Sequence, residues 1–135
     1  MFVAISINLR QILAAPGLGG RAGEAIITLL AVLFACALLL VPQDRVALGW
    51  EWIGGSLLYA VILLRTGLGA LRQTTLSGRE VAMILHLISA LLFLAAGAAT
   101  LAWGAGGVYW VVPATFWSLA IAVGDAWILL VEALR

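Results

Sequence analysis

Three ionisable residues sit inside runs that are otherwise apolar: Arg65 in LLRTG, His86 in ILHLIS and Asp125 in AVGDAW. A carboxylate and an imidazole in such surroundings can pass a proton between them, and a carboxylate and a guanidinium can form an ion pair. A lone aspartate in hydrocarbon is either protonated or paired, because bare charge there costs several kcal/mol. Two readings follow. In one, His86 and Asp125 exchange protons in a proton- or ion-linked relay. In the other, Asp125 pairs with Arg65 as a structural tie, and His86 bonds to Ser89 or a backbone carbonyl. Arg65 also has a third course, since its long stem lets the charge snorkel to the surface. Glu24 joins this intramembrane set nearer the surface, with Ser89, Thr100 and Ser118 as secondary polar positions. Glu51, flanked by Trp50 and Trp52, is placed to reach the headgroups.

The remaining chemistry is sparse. One histidine and one cysteine exclude a bis-histidine haem, a CxxC centre, an internal disulfide and a multi-cysteine metal site. Cys36, in LFACAL, reads as an inert small hydrophobe. Gly17-Leu18-Gly19-Gly20 is a chain breaker, because a phosphate loop needs a preceding strand. The sequence contains no Ser/His/Asp set or paired-carboxylate motif. It therefore predicts no metal, no cofactor and no enzymatic activity.

The elements that position these residues follow from composition. Of 135 residues, 65% are hydrophobic and 10% charged, and mean hydropathy is +1.20. Soluble domains carry roughly 45–50% apolar and about 25% charged residues, so too few polar groups are present to cover a soluble globule. A net charge of +1 without a basic run excludes nucleic acid as a partner. The expected fold is an all-α polytopic membrane bundle, residues 1–135 forming a single transmembrane domain.

A spanning helix needs about 20 mostly apolar residues. Four stretches qualify: about 22–41, ending at Pro42; 46–71; 80–103; and 112–134. The links are short, namely Pro42 to Arg45, Gln73 to Arg79, and Gly104 to Gly107. Short links make successive helices antiparallel neighbours, an up-down-up-down order. All seven basic residues are arginine, and Arg10, Arg21, Arg65, Arg72, Arg79 and Arg135 fall on one side of this arrangement, with only Arg45 on the other. The positive-inside rule makes the Arg-rich side cytoplasmic, together with the C-terminus and, for four spans, the N-terminus. Trp50, Trp52, Trp103, Tyr109 and Trp110 form an aromatic belt at the opposite edge. Ser77-Gly78-Arg79-Glu80 fits a capping box opening the third span, and Glu24 is expected in the first turn of its helix.

Residues 1–15 are apolar but too short to span, and Pro16 and Gly17 break the chain after them. With Phe2, Ile5, Leu9, Ile12 and Leu13 on one side, this segment reads as an interfacial helix. It is not a signal peptide, since it lacks a basic start and an A-x-A site. It also reads as the end of a spanning helix whose beginning is missing. The run FVAISINLRQIL, followed by PGLGGRAGEA and VPQDRVALGWE, resembles a family of small bacterial multi-pass membrane proteins. That resemblance covers roughly the first 50 residues and implies a further N-terminal helix and a bacterial inner-membrane location, but no reaction. The chain differs from that pattern by starting at Met1.

Helical spacing gives each span one polar or small-residue stripe. These are Glu24, Thr28, Ala31 and Ala35; Glu51, Gly55, Leu58, Ile62, Arg65 and Arg72; His86, Ser89, Phe93, Gly97, Thr100 and Gly104; and Thr115, Ser118, Ala122 and Asp125, with Glu132 below. Ala31/Ala35, Ala95/Ala99 and Ala120/Gly124 are spaced for close helix approach. At about 1.5 Å of rise per residue, His86 lies roughly 9 Å from Glu80, Arg65 roughly 10 Å from Arg72 and Asp125 roughly 14 Å from Leu134, so the three share a depth. The functional expectation is a small bundle that binds or regulates another membrane protein, or assembles with itself, in contact with the lipid bilayer. The alternative is an oligomeric proton- or ion-linked transporter or channel using Asp125, His86 and Arg65.

Overall fold

Backbone polar groups in hydrocarbon must be satisfied within their own segment, which selects helices for long apolar stretches. The computed structural model describes residues 18–71 and 79–133, and follows that rule. Its elements are α1 (Leu18–Leu40), α2 (Arg45–Leu71), α3 (Arg79–Trp103), the single turn α4 (Ala105–Val108) and α5 (Val111–Ala133). α1, α2, α3 and α5 are each long and apolar enough to cross a membrane. The protein is an all-α, multi-pass membrane bundle. Residues 1–15, the Gln73 to Gly78 link with its cap residue Ser77, and the terminal Arg135 lie outside the described residues.

Local sequence sets the helix ends. Pro42 disfavours helical backbone at the residue before it, and α1 stops at Leu40. The Asp44 carbonyl accepts the first bond of α2, from the Leu48 N–H at 3.0 Å. Gly104 turns the chain out of α3 at φ 61°, a left-handed value open to glycine without steric cost. Thus the glycine-rich link holds the one-turn helix α4. Pro113 falls in the first turn of α5, where its missing N–H leaves no helical bond unmade.

The helices form a ring in chain order. α2 packs along α3 and α1 along α5 over the longest stretches; α1–α2 and α3–α5 meet over shorter ones. At the end holding the α1–α2 turn, all four helices supply an apolar plug: Val32 and Ala35, Leu48 and Trp52, Phe93 and Ala96, Val111 and Ala114. Toward the other end the centre becomes polar.

Helix α2 corrects the sequence reading. Its buried face is Leu48, Trp52, Ser56, Tyr59 and Leu63, at helical spacing. The expected stripe of Glu51, Leu58 and Arg65 is exposed instead. Trp52 is 2% exposed and belongs to the plug, whereas Trp50, Trp103, Tyr109 and Trp110 are exposed. Trp103 and Trp110 pair across the α3–α5 turn with ring centroids 6.2 Å apart. Cys36 is exposed on the outer surface of α1, among lipid-facing side chains.

Candidate functional site

The polar centre grows from one residue per helix turn. Helix α1 begins at Leu18, four residues earlier than its hydrophobic run suggested, so Glu24 lies beyond the first turn and is buried. One turn on, Thr28 is fully buried, and its Oγ1 donates to the Glu24 carbonyl at 2.8 Å. The same oxygen lies 2.8 Å from the Tyr59 hydroxyl of α2 and 3.0 Å from His86 Nδ1 of α3. The other side of the imidazole, Nε2, lies 3.0 Å from Asp125 Oδ2 of α5. The chain of contacts Tyr59–Thr28–His86–Asp125 therefore takes one residue from each spanning helix. Ser89 and Ser118, both fully buried, bond to each other beside it.

Proton counting fixes the roles. A backbone carbonyl only accepts, so the single Thr28 proton is committed to Glu24. Tyr59 must then donate to Thr28, and His86 Nδ1 must carry a hydrogen and donate too. One proton is left to hold Nε2 to Asp125. It sits either on the carboxyl, facing a neutral imidazole, or on Nε2, facing a carboxylate. Both forms have zero net charge, which is why an aspartate and a histidine can be buried here without a further partner. The Ser118 proton is likewise spent on the Ala114 carbonyl at 2.7 Å, so Ser89 donates to Ser118.

The structure brings His86, Asp125, Ser89, Ser118 and Glu24 into this centre. It does not bring Arg65, which is exposed. Arg65 lies two residues past the inward-facing Leu63, about 200° around a helix turning 100° per residue. The Asp125–Arg65 pair is thus replaced by Asp125–His86, and the expected His86–Ser89 bond by His86–Thr28. Thr100 is buried higher up and bonds only within its own helix, to the Ala96 carbonyl at 2.8 Å. Glu51 is exposed and accepts a hydrogen bond from Gln43 at 2.8 Å. Tyr59 is the member the sequence reading missed. The signal was Ser56 and Tyr59, three residues apart, in an otherwise greasy stretch of α2.

Two hollows flank the ring where its helices meet least. One, of 180 Å³, lies between α1 and α2 and is apolar, with Phe34 resting on the Gly55 backbone. The other, of 360 Å³, is a groove between α3 and α5. Asp125 lines it, Arg21 stands at its rim, and Leu85, Trp117, Ile121 and Ile128 form its walls. The Trp117 indole N–H is already used, donating to the Leu85 carbonyl at 3.3 Å. Among the described residues, no three His, Cys, Asp or Glu side chains gather as metal ligands would.

Comparison of the chain with family models, curated proteins and solved structures finds no match, so the site is read from its own geometry.

Proposed function

We propose that this protein is a small membrane scaffold that acts by association, with a second copy or with another membrane protein, rather than by moving a solute through its centre. The observation that carries this reading is the apolar plug. Residues of all four spanning helices close one half of the bundle axis, and beyond it Tyr59, Thr28, His86 and Asp125 are hydrogen-bonded in series. Packed side chains of this kind leave no water-filled path for ions along the axis. The same reading assigns no catalysed reaction. The distribution of arginine supports an orientation with the C-terminus in the cytoplasm.

Single-molecule photobleaching of protein labelled at Cys36, which is exposed, tests association in bilayers. Persistent dimers or larger assemblies on dilution, or stable capture of one membrane protein, are expected. Strictly monomeric protein that drives ion flux in liposomes would overturn the reading.

A second reading keeps proton- or ion-linked transport at Asp125 and His86, without Arg65. The lateral groove favours it, since it reaches Asp125 from the membrane side rather than along the axis. Flux in liposomes that stops in Asp125→Asn would select it over the first.

A further inference from the structure

We propose that the groove between α3 and α5 binds a lipophilic organic cation, which takes the carboxylate of Asp125 and displaces the proton shared with His86. The inference concerns binding alone and goes beyond both association and transport.

Three observations carry it. Apart from Asp125 and Arg21 the groove is lined by apolar residues, and it has a volume of 360 Å³, a space suited to a hydrophobic body rather than a hydrated ion. Asp125 lines that space although it is only 5% exposed, so an ionisable group borders a greasy hollow. His86 occupies Oδ2 alone, and no described residue hydrogen-bonds Oδ1. A cation with apolar substituents satisfies all three: its body fills the groove and its charge meets the free side of the carboxylate.

Charge balance sets the proton count. His86 and Asp125 together hold one exchangeable proton and no net charge. A cation entering beside Asp125 restores that neutrality only if the proton leaves. The product is an aspartate facing the cation, with the imidazole neutral and its Nδ1–H still donated to Thr28. The ionisable groups around this pair are Tyr59 of α2, and Glu24 and Arg21 of α1. Arg21 lines the same groove as Asp125, and the cation's charge is taken on the Asp125 side of it.

The groove can be filled without touching the network. A side chain at Gly124 would project into open space, since a Cβ there meets nothing within 4 Å, and Gly124 lines the groove. The probe is tetraphenylphosphonium, which has no titratable proton of its own. Its binding to the full chain in lipid nanodiscs is measured by calorimetry in buffers of different ionisation enthalpy. The expected result is saturable binding with release of about one proton per cation, tightening as pH rises. Gly124→Leu abolishes it while helicity and the thermal transition are kept. Asp125→Asn weakens it roughly thirty-fold or more, the factor that matches loss of one partner of a buried charge pair. Should Asp125→Asn fail to fold, Gly124→Leu and the proton count still decide. Unsaturable uptake equal to that of empty nanodiscs, no proton release, or full binding by Gly124→Leu would each overturn the proposal.

Discussion

At the scale of single residues, the centre works as one hydrogen-bonded unit, and deletions in it should not be equivalent. Thr28 accepts two bonds and donates one, so Thr28→Val leaves Tyr59 and His86 without their acceptor. Interhelical hydrogen bonds in membranes contribute from about 0.6 to 2 kcal/mol. Loss of about 1–2 kcal/mol is expected for Thr28→Val in chemical unfolding from mixed micelles, and Thr28→Ser should recover most of it. Removing one member of the His86–Asp125 pair strands the other, at a cost of about 3–5 kcal/mol. The double variant His86→Leu/Asp125→Leu removes both and should be less destabilised than the sum of the single variants. Additive losses would mean that the two side chains are not coupled. Arg65, exposed and remote from Asp125, should tolerate Arg65→Gln with stability changed by less than about 0.5 kcal/mol.

At the scale of elements, all four spans were legible in the sequence, as were the inward faces of α1, α3 and α5, but the inward face of α2 was not. Thr28, His86, Ser89, Ser118 and Asp125 are short or mid-sized polar groups deep in their spans, and such groups have nowhere to go but inward. On α2 the charged residues are near the ends, where Glu51 and Arg65 reach polar surroundings while facing away from the bundle. Their charge pointed to the wrong face. Trp52 is ambiguous for a related reason: its ring suits a membrane edge as well as a core. Helix approach depends on detail that composition does not carry. At the α2–α3 crossing, a Cβ on Gly97 would lie 2.9 Å from the Gly49 carbonyl oxygen and 2.8 Å from Ile53 Cγ1. The carbonyl belongs to rigid backbone, so Gly97→Ala must push the helices apart. A loss of about 1–3 kcal/mol is expected, the usual penalty of overpacking, measured by the same unfolding titration. Gly104 carries the other backbone constraint: Gly104→Ala forces a left-handed, strained residue at the α3–α4 turn and should cost at least about 1 kcal/mol.

At the scale of the whole molecule, the bundle divides into an apolar plug and a polar centre, with a side groove that meets the centre at Asp125. Within that centre the His86–Asp125 pair is buried without net charge of its own. The division predicts that ions do not leak through the axis: liposomes carrying the protein should hold a potassium gradient as well as empty liposomes do. Sustained leakage through parent protein would contradict the plug. The segregation was only partly legible beforehand, because the plug depends on which faces meet, and that required the register of α2.

The polar centre turns on one proton placement, and the chain offers a direct view of it because it contains a single histidine. Nitrogen-15 NMR of histidine-labelled protein in bilayers reports the two ring nitrogens of His86 without overlap. The prediction is a protonated Nδ1 in both forms of the pair, with an Nε2 signal that moves when Asp125 is changed to asparagine. A neutral ring with a bare Nδ1 and a hydrogen on Nε2 would show that Thr28 donates to the imidazole, and the shared-proton pair would be refuted.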